Sequence, residues 1–408
     1  MKIGILGHRF IEWGGGVDFL RIVCASLAAA SVPTELYLLL PVRGPRVWCR
    51  SRYLAARRQL AHALGRPKVM SFVPPADALG RLLADSGANV TVCPIDVGDR
   101  AVRRARKHLG LDVVMPAFDP LPNALGVPWL GYLYDAQHRH LPQFFSPAER
   151  RFRDDAFKEM LSTAPAVIVN SRAVVADIIE FYPKAKSRVF AMPFSAAPST
   201  SWFSLDPLKA RARYEITRPY FMVCNQFWKH KDHATAFEAF AKFALQEPET
   251  LLICTGATSD YRDPTYFESL MQRIEALGIR HCVRVLGLIS KEDQIALLWD
   301  AVALIQPTLF EGGPGGGSVY DAVSIGVPCV VSDIPVNTEL TDATVSFFRA
   351  GDAMALAQAM GAAYAQRGEP RRQTRDRLVA NGQARRKACG DGLVKAIEFI
   401  LEQRQAAR

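Results

Sequence analysis

The residues best suited to chemistry cluster between Gln306 and Glu339, in QPTLFEGGPGGGSVYDAVSIGVPCVVSDIPVNTE. A buried-type apolar run enters this segment, six glycines and a Pro314 turn bend it, a helix opens near Ser318, and a second apolar strand closes it. Glycines permit positive φ and let backbone N–H groups approach a ligand closely, and a helix start adds partial positive charge. That combination suits a diphosphate. Glu311 on the loop and Asp321 one turn into the helix flank it. Their spacing does not make a general acid/base pair, but carboxylates accept hydrogen bonds from sugar hydroxyls well. The blander reading is a glycine-rich turn with a dipole-friendly acid; so many glycines around one proline argue against it.

A second stretch, CNQFWKHKDH from Cys224 to His233, puts Lys229 and Lys231 ahead of a helix expected from Asp232 or His233. Cations are unfavourable at a helix start, so these lysines point to a nearby anion or are simply solvated. In GHRFIEWGGGVDFL, a strand runs into Gly14, Gly15 and Gly16 with a helix expected from about Val17, again aiming amides outward. The G-x-G-x-x-G fingerprint of dinucleotide sites is absent, and a tight strand-to-helix turn explains these glycines equally well. YLYDAQHRHLPQFFS gathers Asp135, His138 and His140 after a strand end. Two histidines two residues apart do not face the same way there, so one of them is structural.

These groups need elements to hold them. From Lys2 to about Pro193, runs such as KIGIL, TELYLLL, KVMSFV, NVTVC, DVVM, PWLGYLY, AVIVN and RVFAM alternate with helical stretches. Runs apolar on both faces suit a parallel sheet covered by helices on each side. Ser195 to Pro219 breaks the rhythm. It resumes with YFMVC, TLLIC, CVRVL, AVALIQ, PCVVS and TVSFF, separated by helices expected over His233–Leu245, Tyr266–Leu277 and Lys291–Trp299. The expected fold is two Rossmann-like, doubly wound α/β domains, 1–197 and 220–388, joined by 198–219, with a final helix 389–408 packing on either. Open parallel sheets bind ligands outside the carboxyl ends of their strands, which leads us to expect an interdomain cleft.

These motifs resemble those of retaining glycosyltransferase family 4, whose fold is the GT-B arrangement of two Rossmann-like domains. The family's Glu, seven residues, Glu, then a small-residue helix and an apolar strand ending in Ser-Asp are matched by Glu311, Asp321 and VPCVVSD. Here nine residues separate the acids, and the second is the shorter Asp. The resemblance implies that Glu311 binds donor-sugar hydroxyls and that the Gly312, Gly313, Pro314, Gly315, Gly316, Gly317 and Ser318 stretch lines sugar and phosphates. It assigns the ribose to Asp321. The family's Arg and Lys, five residues apart, neutralise the donor diphosphate; Lys231 matches the Lys, while Gln226 replaces the Arg and Lys229 restores the charge. Lys231 thereby becomes the catalytic cation. The same resemblance places Asn225, Leu288, Ile289, Gly15 and Gly16 at the donor, makes His138 the active-site histidine, and leaves Asp135 and His140 to the acceptor. It implies a nucleoside diphosphate sugar as donor, its base unread, a saccharide or lipid-linked saccharide as acceptor, a role in polysaccharide or glycolipid assembly, and neither cofactor nor metal.

Composition bounds the rest. The chain has 408 residues, 49% of them hydrophobic and 22% charged, which fits two globular domains. No apolar run is long enough to span a membrane and no signal peptide opens the sequence, so a cytoplasmic location is expected. The eight cysteines are dispersed and read as buried thiols. The net charge of +10 lies wholly in residues 1–200, which carry 26 basic and 16 acidic residues against 24 of each in 201–408. Its densest run is Arg43, Arg46, Arg50, Arg52, Arg57, Arg58, Arg66 and Lys68, interleaved with Val47, Trp48, Tyr53 and Leu54. That run fits a solvated helix face or peripheral contact with an anionic membrane; nothing in it carries a nucleic-acid-binding signature. The alternative to transfer is a GT-B nucleotide-sugar-binding protein with epimerase activity or no catalysis.

Overall fold

Strands form where the apolar runs stand because helices bury both of their faces. The computed structural model describes residues 1–12, 14–41, 89–96, 98–122, 125–260, 262–368 and 373–406. KVMSFV, Cys49 and the basic run from Arg43 to Lys68 lie outside the described residues.

The first unit comprises Met1–Asn170, Val174–Pro193 and Arg386–Arg408. Its strands are β1 (Lys2–Leu6), β2 (Glu35–Pro41), β3 (Val90–Ile95), β4 (Val113–Ala117), β5 (Trp129–Leu133), β6 (Ala166–Val169) and β7 (Arg188–Ala191). They form one parallel sheet in the order β3-β2-β1-β4-β5-β6-β7. Ile3 stands opposite Leu36 on one side and Val113 on the other. Strands β4, β5 and β6 are buried at every residue, as a sheet covered on both faces requires.

The second unit comprises Ser171–Ala173 and Phe194–Arg385. It holds β8 (Tyr220–Cys224), β9 (Leu251–Thr255), β10 (Val283–Gly287), β11 (Leu304–Gln306), β12 (Cys329–Ser332) and β13 (Val345–Phe348). These are parallel in the order β10-β9-β8-β11-β12-β13. Each chain segment thus winds one way from its first strand and then returns to that strand's other side. The two reversals, between β1 and β4 and between β8 and β11, are where such sheets bind ligands.

The helices are α1 (Gly14–Ala28), α2 (Asp99–Leu109), α3 (Gln137–His140), α4 (Pro147–Thr163), α5 (Arg172–Phe181), α6 (Pro207–Arg213), α7 (His233–Ala244), α8 (Tyr266–Ala276), α9 (Lys291–Asp300), α10 (Gly316–Ser324), α11 (Ala353–Ala365) and α12 (Arg375–Ala406). The stretch 198–219 lies within the second unit: Trp202, Ala210 and Ile216 are buried in its core, and the Asp206 carboxylate caps α6 by accepting from the Leu208 and Lys209 amides. The end of α12 belongs to the first unit, where Cys389, Leu393, Ile397 and Ile400 join the core of Leu20, Val23 and Leu27. Gly390 permits that packing, since a Cβ there would stand 2.0 Å from the Ser26 carbonyl oxygen. Burial pushes the Cys24 thiol up to about 12 and raises Cys254 and Cys329 likewise, as expected of core thiols.

Candidate functional site

Gln306, the last residue of β11, organises the carboxyl end of the second sheet. Its fully buried amide accepts from Asn225 Nδ2 at 2.7 Å and from Ser318 Oγ at 3.4 Å, and donates to the Gly315 carbonyl at 2.8 Å and to Glu311 Oε1 at 3.1 Å. The same Glu311 oxygen accepts from Lys231 Nζ at 2.5 Å. One side chain therefore ties the end of β8, the glycine loop and the start of α10 together, and Lys231 reaches into that group.

The loop is held in shape from below. The Gly315 amide donates to Asn337 Oδ1 at 2.8 Å, and Asn337 Nδ2 in turn donates to the Ser332 carbonyl at 2.9 Å. Gly315 has φ 72°, and a Cβ on it would lie 2.5 Å from Val319 Cβ, so both conformation and space demand glycine. No side chain caps α10. The Gly316 amide donates back to the Gly313 carbonyl at 3.2 Å, and the Glu311 carboxylate that meets Lys231 lies beside Gly316; an uncapped helix start next to a lysine is suited to an anion.

The two lysines of the KHKDH stretch diverge. Lys231 meets Glu311, whereas Lys229 pairs with Asp263 at 2.6 Å. Gln226, at the position where the resemblance expects Arg, is exposed. Helix α7 starts at His233, and Asp232, in the left-handed region at φ 50°, caps it by accepting from the Thr235 amide at 3.3 Å. His230 and His233 are buried and neutral: burial, reinforced by the Lys231 charge, lowers His230 to about 2 and His233 to about 3.

Asp321, on α10, is nearly enclosed. It pairs with Lys291 and accepts from Gln294 Nε2 at 3.2 Å. Leu288 and Ile289 precede α9; Leu288 is among the most exposed large apolar side chains, and Ile289 is half-buried against the second core. Among the described residues, no group of three or more His, Cys, Asp or Glu is arranged to hold a metal ion.

Residues 208–385 match the sequence model of the family described as glycosyl transferases group 1. The matched residues lie within the second unit. No curated protein sequence gave a significant match. Among solved structures, HepE from Anabaena, crystallised with UDP and glucose, is 17% identical, with a TM-score of 0.59 over 100% of both chains. Sucrose-phosphate synthase from Thermosynechococcus elongatus gives the same identity, TM-score and coverage. WaaG, a glycosyltransferase of lipopolysaccharide biosynthesis, is 14% identical with a TM-score of 0.55, over 97% of this chain and 98% of its own. With the two parallel sheets, these likenesses show a GT-B fold.

Within the matched stretch the structure brings Lys231, Glu311, Asn225, Gly315, Gly316 and Ser318 around Gln306, with Gly312, Gly313, Pro314 and Gly317 on the same loop and helix start. Lys229 is drawn aside to Asp263. The residues expected in the N-terminal half sit in the first unit. Gly15 and Gly16 form the first turn of α1, which opens at Gly14 rather than near Val17. Asp135 Oδ1 accepts from the Gln137 amide at 3.0 Å.

The two histidines have separate partners. His140 Nε2 lies 2.7 Å from Asp177, which together with nearby acids raises its pKa against the effect of burial. His138, expected to meet a ligand, is instead enclosed: its side chain is wholly buried, with Nε2 2.9 Å from Asp154 and the ring edge-on to Phe157. Asp154 also accepts from Tyr182 Oη at 2.7 Å and Arg139 Nε at 2.8 Å. Burial lowers the His138 pKa, outweighing the hydrogen bond to Asp154. A ring with no exposed surface does not touch a ligand in this conformation.

Gln306, Asn337 and Lys291 escaped the sequence reading as site residues. Gln306 left one trace, an amide ending the apolar strand AVALIQ, and Lys291 closes GLISK, the stretch whose Leu288 and Ile289 the resemblance places at the donor; Asn337 left none.

Proposed function

We propose that the chain is a retaining glycosyltransferase that moves a hexosyl group from a nucleoside diphosphate sugar to an acceptor hydroxyl in polysaccharide or glycolipid assembly. The carrying observation is the Lys231 ammonium beside Glu311 and the uncapped, glycine-rich start of α10. In this reading the bond from the anomeric carbon to the β-phosphate oxygen breaks, the acceptor oxygen bonds to that carbon, and the acceptor proton is released. Charge develops on the departing diphosphate, so a fixed cation and an uncapped helix start at that point stabilise the transition state more than the ground state. Retention requires acceptor approach on the face the diphosphate leaves, which keeps the reacting atoms beside Lys231.

Glu311 then orients a sugar hydroxyl, Asn225 and Ser318 act through Gln306, and Leu288 and Ile289 border the base. Gly15, Gly16, Asp135 and His140 serve the donor and acceptor from the first unit, and His138 is a positioning residue acting through Asp154. The reaction so described uses neither cofactor nor metal. HepE has been crystallised with UDP and with UDP-glucose, which makes uridine the first base to test. The acceptor is a saccharide or a lipid-linked saccharide, met on the cytoplasmic side, where the basic run contacts anionic lipid. Among the described residues no helix is long and apolar enough to cross a membrane.

Incubation of the purified chain with uridine, guanosine and thymidine diphosphate hexoses, with and without acceptor extracts, tests this. Acceptor-dependent release of the nucleoside diphosphate, with product of the donor's anomeric configuration by NMR, is expected. The exposed Gln226 in place of an Arg favours a second reading, binding without transfer. Tight binding with no diphosphate release or epimerised sugar would establish it, and epimerised sugar would establish an epimerase.

A further inference from the structure

Lys291 and Asp321 arrive from opposite sides of the second sheet's reversal point. Lys291 opens α9, which follows the edge strand β10, and Asp321 lies in α10, which follows β11. In the sheet order β9 and β8 stand between those two strands, so their ion pair bridges the carboxyl ends of β9 and β8. Cys224, the last residue of β8, is close to both: burial pushes its thiol up to about 12, with Asp321 adding to the rise and Lys291 opposing it.

The two partners are unequally accessible. The Asp321 side chain is 5% exposed and the Lys291 side chain 37%. Oδ2 of Asp321 takes Lys291 and also Gln294 Nε2. A carboxylate this deep and this engaged presents little of itself, whereas the Lys291 side chain is partly exposed. Asp321 also stands five positions beyond Gly316, about 7.5 Å along the helix at about 1.5 Å per residue. If the diphosphate sits at the start of α10, the ribose is the next part of the nucleotide to be met there.

We infer that Lys291, held by Asp321, which Gln294 in turn steadies, contacts the ribose of the donor nucleotide and makes the site discriminate ribonucleotides from 2′-deoxyribonucleotides. This rests on the nucleotide-sugar reading above. An ammonium carries three donors, enough to hold Asp321 and a ribose oxygen together. Asp321 and Gln294 are positioning residues: they fix the direction of the ammonium, and the shorter Asp suits that task because it leaves room for the lysine over it.

Calorimetric titration of the full chain with uridine, guanosine and their 2′-deoxy diphosphates tests the inference. Wild type should bind the ribose form of its preferred base at least about fivefold more tightly than the deoxy form, the worth of one hydrogen bond. Lys291→Met should weaken the ribose form to the level of the deoxy form and leave the deoxy form unchanged. Lys291→Arg should restore part of the preference. A purely structural ion pair would lower the melting temperature of Lys291→Met while preserving the ratio, and that outcome overturns the inference. Equal affinity of wild type for ribose and deoxy forms overturns it without any variant. Failure of wild type to bind any nucleoside diphosphate, these or thymidine's, would instead remove the nucleotide-sugar reading, and this inference with it.

Discussion

Lys231 Nζ stands 2.5 Å from Glu311 Oε1, and the two side chains are only 14% and 11% exposed. The pair joins the short helical turn before α7 to the loop before α10, which lie 80 residues apart in the chain. The carboxylate neutralises the ammonium; in the proposed reaction the donor diphosphate becomes a second partner for it.

The proposed function gives Lys231 the role of a transition-state group. Lys231→Met is expected to lower kcat by about 10²–10³-fold, the usual effect of removing one preorganised donor from developing charge, with a smaller change in donor affinity. Steady-state kinetics beside calorimetric donor binding separates the two. Loss confined to affinity, with kcat intact, would contradict the assigned role.

Gln306 is the internal brace. Gln306→Leu keeps the volume but strands the Asn225 amide and the Gly315 carbonyl, each buried, at a cost of about 1–3 kcal/mol. In a domain of this size that lowers the melting temperature by about 2–4 °C per kcal/mol. Donor affinity should fall too, since Glu311 loses one of its two donors. A variant as stable as wild type in a thermal melt would show that the network is dispensable.

Gly315→Ala tests the turn. The positive φ and the 2.5 Å approach to Val319 Cβ predict a loss of about 1–3 kcal/mol from backbone strain and a displaced α10 start. Urea unfolding gives the first quantity and nucleoside diphosphate titration the second; unchanged binding would remove the α10 amides from the anion site.

His230 and His233 set an acid limit on stability. Their folded pKa values, about 2 and about 3, lie below the unfolded value of about 6.5. Their neutral burial costs nothing above that pH. As pH falls from about 6.5 toward 3, the unfolded chain binds protons that the folded one does not, and stability drops by up to about 1.4 kcal/mol per pH unit for each histidine. The urea midpoint should therefore fall less between pH 7.5 and 4.5 in His230→Gln than in wild type. Equal falls would show that His230 does not stay neutral when buried.

Local chemistry was legible in the sequence. YFMVC becomes β8 residue for residue, and helices expected from His233, Tyr266 and Lys291 begin at those positions. Apolar runs, glycine turns and caps act over a few residues, so neighbours in the chain suffice to read them. The glycine loop and Lys231 were marked the same way, by residue types costly at a strand-to-helix junction unless an anion is near.

What only the tertiary structure decided are pairings across the strand order and the depth at which they lie. Gln306 reaches Asn225 because β8 and β11 are neighbours in the sheet although far apart in sequence. Lys229 and Lys231, two residues apart, face Asp263 and Glu311 respectively, and His138 is sealed by α4 and Tyr182 while His140 stays partly open. Exposure is a property of packing between distant segments, so residue type and spacing marked these side chains as capable of chemistry without saying which would reach a ligand.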